Sequence, residues 1–190
     1  MNIGDPTPSP SEERVLTLDA MLKELVFGLY WDGPAEDAMP GDAADLDAWC
    51  LLLDAEGRIL EAVHPARPRN DEGSVVHTGD SRTGAGAWDD ERIFVFLAPL
   101  PRHVAALGFA VVSANGLPFE RVRGASCHVS DPASDKALLQ LDLTALGGAT
   151  VHWAATLERH DAHWRVFMGP PHREGLAALH TLLPPPEKSA

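Results

Sequence analysis

A chain of 190 residues with 45% hydrophobic and 23% charged content has the makeup of a globular protein, long enough to bury a core without disulfides or structural metal. Its 28 acidic against 15 basic residues give a net charge of −13, which repels phosphate backbones and anionic lipid and excludes nucleic-acid binding through basic patches. No apolar run approaches the roughly 20 residues that span a bilayer, the start lacks signal-peptide character, and Cys50 and Cys127 are the only cysteines; a reduced, cytoplasmic protein without a transmembrane segment is expected.

Residues 1–14, rich in Pro, Ser and Glu, read as a disordered lead, and the Pro-rich residues 184–190 as a disordered tail. Between them, short apolar segments recur at 25–31, 48–53, 59–63, 74–76, 93–97, 109–113, 125–129, 138–143, 151–157 and 164–168. Gly, Pro and Asp separate them, which is the pattern of an all-β, two-sheet β-sandwich. Val151, Trp153, Ala155 and Leu157 alternate with more polar neighbours, so they are expected on one face of a half-buried strand. A turn at 160–162 then leads into the last strand, with Trp153 and Trp164 expected in one core. Residues 174–183, with Leu176, Leu179 and Leu183 on one side, predict a short C-terminal helix. There is no internal repeat or linker, so residues 15–183 are expected to form one domain.

The charge is unevenly placed. Residues 32–91 hold 15 acidic and four basic side chains, leaving the rest of the chain nearly neutral. Three acidic clusters fall at strand ends. Asp32 follows the apolar segment ending at Trp31. Asp45 and Asp47 open the next, and in an extended chain their carboxylates share one face while Leu46 takes the other. The third closes a glycine-rich loop that runs from His77 through Asp80 to Asp89, Asp90 and Glu91. If these loops meet at one end of the sandwich, their carboxylates need a counter-charge, and a hard cation with oxygen ligands supplies it. Calcium tolerates irregular loops and mixed oxygen donors better than magnesium does. No EF-hand spacing is present, so such a site is discontinuous. The plainer reading is that the acidic loops are simply solvated.

Several of these segments are specific. Gly28-Leu29-Tyr30-Trp31-Asp32, Asp45-Leu46-Asp47-Ala48, Gly73-Ser74-Val75-Val76-His77-Thr78-Gly79-Asp80 and Asp89-Asp90-Glu91 resemble the TerD family of bacterial tellurite-resistance and stress proteins. The likeness continues in Phe119-Glu120-Arg121-Val122-Arg123-Gly124-Ala125 and Gly175-Leu176-Ala177-Ala178-Leu179, covering about residues 15–183 in order. The resemblance implies a β-sandwich whose acidic loops bind one or two calcium ions. It also implies a non-enzymatic role in chemical-stress response, through association with other proteins of a stress-response complex. Asp32, Asp45, Asp47, Asp80, Asp89, Asp90 and Glu91 match the pattern and are the implied metal ligands. Four features depart from it. His64-Pro65-Ala66-Arg67 replaces an Asn-containing segment, Ser81 replaces an Asn, Trp49 a small Ser, and Trp88 a Gly. Lost amide oxygens put one of the two sites in doubt.

Two alternatives remain at this point: a divalent-metal-dependent phosphoester hydrolase, and a metal-free structural relative. Against a hydrolase stands the lack of any Lys or His within the acidic blocks, apart from His77, to serve as acid or base. The histidines show no His-x3-His spacing and the cysteines no Cys-x2-Cys spacing for a transition metal. Cys50, inside an apolar segment, reads as a buried structural thiol. Cys127 and His128 are adjacent on a strand and point to opposite faces, which argues against a Cys–His pair. Trp88, in a loop, is the tryptophan suited to contact function. Asp47 is the expected central ligand, whereas Glu36 and Asp54 are expected to contribute only surface charge.

Overall fold

The computed structural model describes residues 15–34, 43–84, 88–134, 136–161, 163–171, 179, 181 and 182. Eleven strands occur in it: β1 (Leu16–Thr17), β2 (Glu24–Tyr30), β3 (Leu46–Leu53), β4 (Ile59–Val63), β5 (Val75–His77) and β6 (Glu91–Phe96), followed by β7 (Ala106–Ser113), β8 (Ser126–Asp131), β9 (Lys136–Asp142), β10 (Val151–His160) and β11 (His163–Met168). They form two antiparallel sheets, ordered β1-β11-β10-β7-β3-β4 and β5-β6-β2-β8-β9. Every one of the ten apolar segments overlaps a strand, with ends one residue off in places; only β1, two residues long, has no apolar run to announce it.

Alternation sorts the side chains between the sheets. Leu25, Phe27 and Leu29 of β2 face Ala48, Cys50 and Leu52 of β3 and Leu107, Phe109 and Val111 of β7 across one buried cluster. Phe27 and Phe109 stack across it with ring centroids 5.1 Å apart. The opposite face of the six-stranded sheet carries a second cluster, made of Trp49, Leu51, Leu53, Ala106, Ala110, Val112, Trp153 and Leu179. Cys50 and Cys127 are free and buried. Burial pushes both thiols up, Cys127 to about 12, so neither has a nucleophile's character.

Strand β10 departs from simple alternation. Trp153 pairs with Ala110 but Ala155 with Phe109, a β-bulge that takes up one extra residue. Val151 and Trp153 therefore pack in the outer cluster, whereas Ala155 and Leu157 enter the main core. The expectation of one face for all four is corrected by that bulge. So is a shared core for Trp153 and Trp164, since Trp164 packs at the margin of the main core with the Arg159 guanidinium 4.3 Å above its ring. The hairpin itself forms, with His160 opposite His163 and Asp161 at φ 52° in its turn.

Asp54 does more than carry charge. Its carboxylate accepts from the Glu56 and Arg58 amides at 3.0 and 2.8 Å and closes the β3–β4 hairpin. The helix expected over 174–183 lies outside the described residues apart from 179, 181 and 182, and Glu36 lies outside them too.

Gly108 has no room for a side chain, because the Trp153 indole lies directly over it. Gly108→Ala forces that ring out of its seat, an overpacking that costs about 1–3 kcal/mol. A melting temperature lower by about 3–10 °C is expected in thermal denaturation; an unchanged value would refute this packing account.

Candidate metal centre

The acidic end of the sandwich is assembled by strand parity. Leu46 of β3 is wholly buried in the main core, so Asp45 and Asp47 project from the other face, on the same side as Trp49. Backbone bonds fix the approach to β3: Ala114 donates to the Asp45 carbonyl at 2.8 Å, Asn115 Nδ2 to that of Ala43 at 2.7 Å, and Trp31 Nε1 to that of Ala44 at 3.2 Å. Trp31 is fully buried and also lies against Gly84, whose φ of +58° and contact with the indole admit no side chain. One tryptophan thus seats both the segment leading to Asp45 and the loop that follows Asp80.

Asp45, Asp47 and Asp80 each bring one carboxylate oxygen within 4.8 Å of the others. Asp45 Oδ1 is buried and has no hydrogen-bond partner. Arg82, on the rim, bonds Asp80 Oδ2 through Nε at 3.0 Å. Burial, followed by the charges of Glu91, Asp45 and Asp80, pushes the Asp47 carboxyl up to about 7, with some relief from His77. Burial and then Asp80 raise Asp45 in the same direction. The donor set is all oxygen, with one orphaned acceptor among crowded carboxylates, and its chemistry fits a hard ion.

Glu91 stands beside this trio in a different role. It is completely buried, in phase with Ile93 and Val95 on β6. Its Oε2 accepts from the Ala48 amide at 2.7 Å and from His77 Nε2 at 3.2 Å, while Oε1 accepts from the Ser81 amide at 3.2 Å. The Gly79 amide donates to His77 Nδ1, leaving the Nε2 proton for Glu91. Sequence reading placed Glu91 among the ligands and left His77 without a partner. The inward phase of both residues on neighbouring strands was the signal for their pairing.

The other three acids do not join the trio. Asp89 Oδ1 meets His128 Nε2 and its Oδ2 meets Arg92 Nε, both at 3.0 Å, on the outer face of the five-stranded sheet. Burial acts upward on Asp89, but the hydrogen bonds and charges of His128 and Arg92 together hold it below the usual carboxylate range. His128 Nδ1 in turn meets Ser130, and the group packs against Gly28, where any Cβ would strike His128 and Asp89. Asp90 Oδ2 accepts from the Trp31 amide at 3.0 Å, and Asp32 Oδ1 from the Tyr30 hydroxyl at 2.9 Å. The hydrogen bond and charge of Asp32 raise the Tyr30 hydroxyl, with burial and the Asp90 charge acting in the same direction. Trp88 is 78% exposed beside Asp89.

The fold and this acidic end define a β-sandwich of antiparallel sheets with a carboxylate cluster at one edge. The TerD domain model matches residues 12–182, and the chain belongs to that family. It is 37% identical over 149 residues to tellurium resistance protein TerZ of Serratia marcescens, covering 75% of this chain and 77% of that one. General stress protein 16U of Bacillus subtilis (strain 168) is 31% identical, with 84% and 86% covered. A homologue of telluride resistance protein from Streptomyces coelicolor A3(2), of known crystal structure, shares the fold with a TM-score of 0.68 at 23% identity, over 83% of this chain and 95% of that one.

The crowding of Asp47 has a pH consequence in the metal-free protein. Its folded value near 7 lies above the value of about 3.9 in an unfolded chain. Between the two, the native state holds a proton that the unfolded state has released, so this group makes stability fall as pH rises from about 4 to 7. In chelator at pH 8, Asp47→Asn is expected to melt about 3 °C or more above the parent, the two curves converging towards pH 4. A variant less stable than the parent at pH 8 in chelator would contradict the crowding.

Proposed function

We propose that this TerD-family protein binds calcium and acts as a non-enzymatic interaction module in a chemical-stress response of the tellurite type, in association with other stress-response proteins. The carrying observation is the convergence of Asp45, Asp47 and Asp80, with one buried Asp45 oxygen left unpaired. The irregular segments and all-oxygen donors favour calcium over magnesium. One ion falls to this trio; a second would fall to Asp32 and Asp90 beside Tyr30. The names of the relatives, a tellurium resistance protein and a general stress protein, support the biological setting. The free, inert thiols accord with a reducing cytoplasm.

Binding to the native state alone stabilises by mass action, about 2.7 kcal/mol when the free ligand is a hundredfold above Kd. Millimolar calcium is therefore expected to raise the melting temperature by about 5–10 °C over chelator. Calorimetric titration is expected to show Asp47→Asn weakening calcium by tenfold or more, with Asp54→Asn within twofold of the parent. Identical melting with calcium and with chelator, together with no heat of binding, would remove the calcium reading.

A further inference from the structure

The carboxylate trio opens into a cleft with about 630 Å³ of water-accessible space, the size of a small-molecule site. Its walls include Asp45, Asp47, Asp80, Arg82, Trp49 and His64. Trp49 and His64 stack face to face, with ring centroids 4.1 Å apart and planes 7° from parallel. Trp49 is only 6% exposed, yet its indole N–H has no hydrogen-bond partner.

We propose that this cleft binds a small molecule carrying an oxyanion on a planar ring, the oxyanion meeting the cation held by Asp45, Asp47 and Asp80, and the ring lying against His64. This rests on the calcium reading above. Three carboxylates do not by themselves fill the six to eight oxygen positions of calcium, and the Glu91 oxygens already receive three hydrogen bonds. The cleft that Asp45, Asp47 and Asp80 line would give access to the remaining positions. Without the cation the trio repels any anion; a divalent cation takes up most of its negative charge, and the Arg82 guanidinium on the rim offsets the remainder. The Trp49–His64 stack gives the other wall a rigid aromatic surface. Burial, then His77 and Arg67, lower the His64 imidazole, so near neutral pH it presents an uncharged ring. Aromatic rings prefer offset stacking on such a surface.

The test is calorimetry on the full chain with phenyl phosphate and benzoate, which separate phosphate from carboxylate preference, against ring-free inorganic phosphate and acetate. With saturating calcium, at least one ring-bearing probe is expected to bind tenfold or more tightly than its ring-free counterpart, and chelator is expected to abolish binding. His64→Ala is expected to weaken that probe fivefold or more while leaving calcium affinity within twofold, and His64→Phe, which keeps a ring, to retain it. If calcium binds but neither ring-bearing probe does, or if His64→Ala leaves probe affinity unchanged, the ligand proposal fails and the calcium reading stands. If calcium itself does not bind, both fall.

Discussion

A carboxylate taken wholly out of water must be met by donors, and Glu91 is met by three from separate parts of the chain. Ala48 belongs to the six-stranded sheet, while His77 and Glu91 belong to the five-stranded one. Ser81 lies in the loop that follows β5. The electrostatic need of one side chain therefore pins the two sheets together at one end and draws a loop onto the seam. Apolar contact between sheets is non-directional and tolerates sliding; these directed hydrogen bonds fix the offset. The acidic edge has a defined shape because its neighbour is already satisfied.

Trp31 completes that frame. Its indole reaches the Ala44 carbonyl, its ring closes against Gly84, and its amide is received by Asp90. The segments bearing Asp45 and Asp80 are thus held near each other by groups that are not themselves acidic. Like charges are brought together at a cost, visible in the raised Asp47 carboxyl, and the rest of the fold supplies the stability to bear it. A cation binding such a pre-formed cluster, as proposed above, would be spared the work of gathering its ligands.

Strand positions were legible because both sheets keep a period of two and turn residues separate the strands. What alternation does not carry is a break in its own phase. The bulge after Trp153 moves Ala155 and Leu157 to the other side of the sheet, and a single sequence gives no local warning of it. Carboxylate direction was legible where the backbone decides it, as for Asp45 and Asp47 opposite Leu46. It was not legible where a distant partner decides it. Asp89 turns to His128, 39 residues away on β8, and no spacing near Asp89 announces that choice. Glu91 was readable in phase with Ile93, but its acidity drew it into the ligand set instead of the interior. Part of the likeness to the TerD family was carried by short motifs, at residues 45–48, 73–80 and 89–91, that the structure places around the Glu91 seam and the acidic edge.

Strand β3 has one further implication, for how such a protein changes over generations. Leu46, Ala48, Cys50 and Leu52 face the main core, whereas Asp45, Asp47 and Trp49 lie on the opposite side near the acidic cleft. Neighbouring codons therefore answer to different surroundings, one set to the main core and the other to the second cluster and the acidic edge. The side chain at position 49 can change without disturbing the packing of Ala48 or Cys50 in the main core. The same backbone can acquire new cleft walls while inheriting its interior unaltered, which gives divergent members of a family a route to distinct binding preferences on a common scaffold.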